Sequence, residues 1–128
     1  ANRLFGGKAK LIRLSKKEGE DGKRQITGIA DDSAEITPGD KVLLIDDLIT
    51  KADSKFESIK VLEDAGAVIE SVLVVVDREQ GGADELKNAG YSLISIFNIS
   101  DLLRIYYEKG RITWQKYDEV MDYIYANK

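Results

Sequence analysis

The stretch Val42-Leu43-Leu44-Ile45-Asp46-Asp47 constrains the fold more than any other in the chain: four apolar residues end abruptly in two adjacent carboxylates. A strand buried on both faces of a parallel sheet reads as a continuous apolar run rather than an alternation, and Val42–Ile45 reads that way. A polar turn follows, Leu48-Ile49-Thr50-Lys51-Ala52-Asp53-Ser54, and then a segment in which Phe56, Ile59, Leu62 and Ala65 share one helical face until Gly66 stops it. Open α/β sheets hold their ligands where strands end and the chain leaves the sheet. The unbonded amides of the next helix's first turn favour an anion there. A plainer reading fits the same residues: a solvated acidic turn, with Asp53 or Ser54 as an ordinary N-cap.

Composition narrows the chemistry. With 128 residues the chain makes one domain, 1–128, large enough to bury a substantial core, and 43% apolar with 33% charged residues describes a globular protein. A net charge of −4 gives no electrostatic case for nucleic acid. There is no Cys and no His, which removes disulfides, thiolate nucleophiles, Ser-His-Asp chemistry and imidazole-based zinc sites. Any metal would be a hard cation on oxygen ligands, with Mg²⁺ the natural choice beside phosphates. No apolar run has the length of a membrane span and no signal peptide precedes Ala1, so the expected location is cytoplasmic.

Along the chain, Lys8–Leu14 reads as a strand, Ser15–Arg24 as a charged hairpin loop, and Gln25–Ile29 as the returning strand. Asp31–Asp40 is a polar connection ending in Pro38-Gly39-Asp40. After the central strand and helix comes a second apolar strand, Val68–Val76, expected to be interior and to end at Asp77-Arg78. A short helix Ala83–Ala89 stops at Gly90, and Tyr91–Phe97 is a third parallel strand. Ser100 is expected to cap a helix whose Leu102, Leu103 and Tyr106 face inward and which Gly110 ends. Thr113 caps a last helix, Trp114 to about Ala126, whose Trp114, Tyr117, Val120, Met121 and Ile124 recur at helical spacing and read as core or subunit contact. The fold class is α/β, an open, mostly parallel sheet flanked by helices.

Two segments carry a family resemblance. Val42–Ser54 resembles the signature of type I phosphoribosyltransferases: an apolar strand, two acids and a loop that binds the 5-phosphate of phosphoribosyl pyrophosphate (PRPP). Val74-Val75-Val76-Asp77-Arg78-Glu79-Gln80-Gly81-Gly82 resembles the segment that marks the orotate phosphoribosyltransferases. The resemblance runs from about Lys10 to Leu103. It implies transfer of phosphoribosyl from PRPP to orotate, with Mg²⁺ carried on PRPP rather than bound directly by the protein, giving orotidine 5′-monophosphate and pyrophosphate on the route to UMP. It also implies a homodimer, and allows a fused or associated orotidine 5′-monophosphate decarboxylase. The family's amino-terminal helices, hood and pyrophosphate loop have no counterpart, so the chain is expected to be a carboxyl-terminal portion of a longer enzyme or a pruned relative.

The roles that this resemblance implies fall on named positions. Asp46, Asp47 and Lys17 are the candidate catalytic residues, with the two acids on the ribose hydroxyls and Asp47 favoured on the pocket side. Arg13, Lys16 and Lys17 match the basic residues of a loop that closes over pyrophosphate; the family's loop His is absent, and Gly19 or Glu20 stands there. The segment Asp46, Asp47, Leu48, Ile49, Thr50, Lys51, Ala52, Asp53 and Ser54 is the PRPP site, and Thr50 with Arg78 would meet orotate, Arg78 through a guanidinium fork suited to a carboxylate. The plainer reading of Arg78 is a surface residue paired with Asp77 or Glu79. Family members usually read Thr-Thr-Gly-Gly-Ser where this chain has Thr50-Lys51-Ala52-Asp53-Ser54. A left-handed Ala52 would cost about 1–2 kcal/mol. These departures favour a rival: a non-catalytic PRPP- or nucleotide-sensing module on the same fold. A third reading, a receiver-like flavodoxin-type domain with Asp77 as phosphoacceptor, leaves Arg78-Glu79-Gln80-Gly81-Gly82 without a role.

Overall fold

The computed structural model describes residues 9–18 and 24–128. The opening Ala1–Lys8 and the run from Gly19 into Lys23, including the positions matched to the family's loop His, lie outside them. The element order is β1 (Leu14–Glu18), β2 (Arg24–Ile29), β3 (Lys41–Ile49), α1 (Asp53–Asp64), β4 (Val68–Asp77), α2 (Gly82–Asn88), β5 (Ser92–Asn98), α3 (Ile99–Glu108) and α4 (Trp114–Ala126). No described helix is long and apolar enough to cross a membrane. Two compact units divide these elements: the chain up to Val42 with Ser54–Val68, and Leu43–Asp53 with Ile69–Lys128.

In the first unit β1 and β2 form an antiparallel hairpin in which Lys16 faces Ile26 and Lys17 faces Gln25, with an irregularity between Ser15 and Lys16. The strand therefore starts where the expected one, Lys8–Leu14, ends. Lys10–Arg13 still run alongside the returning chain, with Ala30 N–H donating to Arg13 C=O at 2.8 Å and Ala34 N–H to Leu11 C=O at 3.2 Å, but without a regular ladder. Backbone pairing thus extends into a charged run that composition reads as loop, because a ladder satisfies N–H and C=O whatever the side chains are. Helix α1 buries Lys55, Ser58, Ile59 and Leu62, while Phe56 is only half-buried. Its buried face is rotated from the expected stripe, since the Lys55 stem supplies apolar surface that hydrophobicity patterns do not count. The helix closes as expected, with Gly66 N–H donating to Glu63 C=O at 2.8 Å.

In the second unit β3, β4 and β5 form a three-stranded parallel sheet in that order. Helix α2 packs on β5, and α3 packs on both β5 and α4. Leu44, Ile49, Ile69, Val72, Val74, Leu86 and Ile124 are buried. The expectation that the strands are covered on both faces is overturned: Leu43 is 48% exposed, Ile45 64% and Ile96 57%. The apolar residues are written for a sheet covered on two sides, and the described residues cover one. Strand β3 also does not end at its acids but continues through Asp46, Asp47 and Leu48 to Ile49.

Two helix details differ from expectation. Ser100 lies inside α3, whose N-cap is Asn98 without a side-chain cap, and Tyr106 is exposed rather than inward. Thr113 caps α4 as its sequence position implies, its Oγ accepting from Lys116 N–H at 3.3 Å. Trp114 stacks on Tyr117 with centroids 5.5 Å apart and meets Tyr107 edge-on, a cluster joining α4 to α3. In urea denaturation Leu86→Ala is expected to lower stability by about 2–5 kcal/mol, through lost burial plus a cavity. Ile96→Ser on the open sheet face is expected to change it by no more than about 0.5 kcal/mol. A comparable loss at both positions would mean that this face is covered in solution.

Candidate functional site

Parallel strands end at the same edge of a sheet, so the segments leaving β3 and β4 emerge side by side. Three backbone donors join them. Arg78 N–H donates to Ile49 C=O at 2.9 Å, Gly82 N–H to Thr50 C=O at 2.9 Å, and Ala52 N–H to the Glu85 carboxylate at 2.7 Å. Gly82 permits this closeness. A Cβ there would stand 2.7 Å from Ile49 Cγ1 and 2.8 Å from Thr50 O, inside van der Waals contact. Gly81 is left-handed, φ 98°, and its bare Cα leaves room for Lys51 Nζ. The two stretches that the sequence singles out thus form one structural edge.

The acidic pair sits in extended backbone, so its side chains leave opposite faces of the sheet. Asp46, half-buried, accepts from Asp47 N–H at 2.9 Å; Asp47, exposed, accepts from Leu48 N–H at 2.7 Å. Ala52 is fully buried and has no positive φ, so the loop runs through it without left-handed strain. Lys51 Nζ lies 3.9 Å from Glu85 Oε1. Ser54 C=O accepts from Ser58 Oγ at 3.0 Å, and the buried Lys55 Nζ stands 3.4 Å from Ser54 Oγ.

Strain appears instead in the second segment. Glu79 has φ 56°, the one positive φ outside glycine among the described residues. Two contacts hold it there: its N–H donates to Asp77 Oδ1 at 2.7 Å, and its own carboxylate accepts from Ser100 N–H at 2.9 Å, capping α3 in place of Ser100. A left-handed residue costs about 1–2 kcal/mol. One hydrogen bond to a charged group returns about 1.5–3 kcal/mol, so the turn is sustained. Burial pushes the Asp77 carboxyl above its usual value, opposed by the Glu79 amide. Between these anchors stands Arg78, half-buried, whose guanidinium makes no ion pair among the described residues. The carboxylates of its neighbours Asp77 and Glu79 are turned to backbone amides, so the plainer reading of Arg78 as their surface partner does not apply.

Asp46, Asp47, Leu48, Ile49, Thr50, Lys51, Ala52, Asp53 and Arg78 therefore share one unit. Arg13, Lys16 and Lys17 belong to the other; Arg13 pairs with Asp32, and the two lysines are exposed on β1. Sequence reasoning missed Glu79, Glu85, Gly82 and the buried Lys55. Of these, Gly82 alone carried a signal, in the paired glycines that follow Gln80.

No family model matches the chain. It is 39% identical over 92 residues to orotate phosphoribosyltransferase of Pyrococcus abyssi, covering 72% of this chain and 47% of that protein. It is 33% identical over 117 residues to uridine 5′-monophosphate synthase of Bos taurus, covering 91% of this chain and 23% of that protein. Among solved structures, UMP synthase of Leishmania donovani superposes with a TM-score of 0.68 at 32% identity, over 72% of this chain and 21% of that one. The chain thus spans less than half of the length of each of these three relatives. Within that span the sequence relatives and the solved structures agree: the chain belongs to the orotate phosphoribosyltransferase family and carries the type I phosphoribosyltransferase fold.

Proposed function

We propose that this chain provides the PRPP- and orotate-binding edge of an orotate phosphoribosyltransferase. The reaction transfers phosphoribosyl from PRPP to orotate, giving orotidine 5′-monophosphate and pyrophosphate on the route to UMP. The observation that carries this reading is the joining of Ile49-Thr50 to Arg78 and Gly82 through paired backbone hydrogen bonds. It brings an acidic strand end, a loop lysine and a half-buried guanidinium to one edge, the set that a sugar phosphate and a planar carboxylate require.

In this reading Thr50–Ser54 wraps the 5-phosphate, and Lys51 supplies charge to it. Asp47 accepts from a ribose hydroxyl and stabilises the positive charge that develops as the glycosidic bond breaks, while Asp46 holds the strand end. Arg78 meets the orotate carboxylate with Thr50 on the ring, its guanidinium kept available by the turn that diverts Asp77 and Glu79. Mg²⁺ comes with PRPP, where it would neutralise the leaving pyrophosphate. By the family resemblance, Lys16 and Lys17 of the basic hairpin, with Arg13 at its base, would serve the pyrophosphate of a neighbouring subunit's site. The enzyme is read as cytoplasmic and homodimeric. The match to 23% of the bovine UMP synthase supports a longer parent chain with a fused or associated decarboxylase.

Calorimetric titration with PRPP and Mg²⁺, then with orotidine 5′-monophosphate, tests the reading. Saturable binding of both is expected, with Asp47→Asn losing PRPP and Arg78→Ala weakening the nucleotide by about tenfold or more while sparing PRPP, as loss of one charged contact implies. Binding without turnover in an activity assay would favour the sensing module; binding of neither ligand would end both readings. A second expectation concerns the joint itself. Gly82→Ala should destabilise the chain by about 1–3 kcal/mol, the cost of overpacking, and weaken PRPP binding with it. Unchanged urea midpoint and affinity in that variant would show that the close approach is not required.

A further inference from the structure

One amide of the phosphate loop and its lysine already face an anion that the protein supplies. Glu85, on the first turns of α2, accepts from Ala52 N–H at 2.7 Å through one oxygen and faces Lys51 Nζ at 3.9 Å with the other. A loop amide and an adjacent lysine are the donor set that a phosphate oxygen takes. Ala52 is fully buried, so its amide depends on a protein or ligand acceptor. The Glu85 side chain, by contrast, is 39% exposed and borders solvent, and a glutamate stem can swing clear by rotation alone. We propose that Glu85 is an affinity-setting residue: its carboxylate holds the loop in shape when no ligand is bound, and an incoming phosphate must displace it from Ala52 N–H and Lys51.

This inference rests on reading Thr50–Ser54 as the phosphate loop. Its consequences run opposite to those of a merely structural role. A carboxylate that shares donors with the ligand lowers the apparent affinity, because binding includes breaking its contacts and placing two negative charges near each other. A carboxylate that only supports the loop would raise affinity.

The test compares wild type, Glu85→Gln and Glu85→Ala in titrations with PRPP plus Mg²⁺ and with inorganic phosphate, following the Ala52 amide by ¹⁵N NMR. Both variants are expected to bind these anions about five- to tenfold more tightly at low salt, the scale of one unit-charge interaction at about 4 Å in water. The gain should shrink as salt screens it. Phosphate is expected to move the Ala52 resonance in all three proteins. Equal or weaker binding in both variants overturns the proposal. If wild type still binds PRPP and Asp47→Asn still loses it, the loop reading survives that failure. If no protein, Glu85→Gln included, binds either anion, the loop reading falls together with this inference.

Discussion

The closeness of two strand-end segments, made possible by the missing side chain at Gly82, is the constraint from which the rest of the site follows. With the Gly82 amide on Thr50 and the Arg78 amide on Ile49, the chain leaving β3 has little freedom before α1 begins. That fixes where Lys51 and Ala52 stand and brings Glu85 within reach of both. On the other side, the same joint sets where β4 ends, and the Asp77–Glu79 turn then determines where Arg78 begins. Each bond is worth only about 0.5–1.5 kcal/mol net, but they act on one geometry rather than singly.

Much of this fold is legible in the sequence because apolar runs and punctuation residues act locally. Val68–Val76 becomes β4, Gly66 and Gly110 stand at helix ends, and Thr113 caps α4. Misreadings occur where a distant partner overrides local preference. Asp46 and Asp47 look like a strand terminator, yet the pairing of Ile49 with Arg78 keeps the backbone extended past them. Ser100 looks like an N-cap, yet the Glu79 carboxylate, far away in sequence, does the capping. Lys55 looks solvated, yet only 4% of it is exposed. The two motifs were recognisable as separate stretches; their joint was not, because hydrogen bonds between a carbonyl and a distant amide leave no mark on either side chain.

The one-sided sheet bears on function as well as on stability. Leu43, Ile45 and Ile96 lie open on the face opposite the buried Leu44, Val72 and Val74. Asp47 belongs by alternation to the open face and Asp46 to the buried one. The acid assigned to the sugar is thus the more exposed of the two, while the acid assigned to shaping the strand end is half-buried.

The carboxylates at this edge share one arrangement. Asp46, Asp47, Asp77, Glu79 and Glu85 each accept from a backbone amide, of Asp47, Leu48, Glu79, Ser100 and Ala52 respectively. The loop amide of Ala52, of the kind that glycine-rich loops elsewhere leave for a ligand, is here taken by one of the protein's own acids, and Lys51 and Arg78 are cations of the same edge. The carboxylates gathered here disfavour a bare polyanion, since two like unit charges about 4 Å apart repel by about 1 kcal/mol even in water. A phosphorylated ligand therefore binds this edge only if it arrives with its own counter-cation or displaces one of the internal carboxylates. Of the five, Glu85 alone sits on a loop donor and beside a lysine at once, which makes it the carboxylate that such a ligand would move.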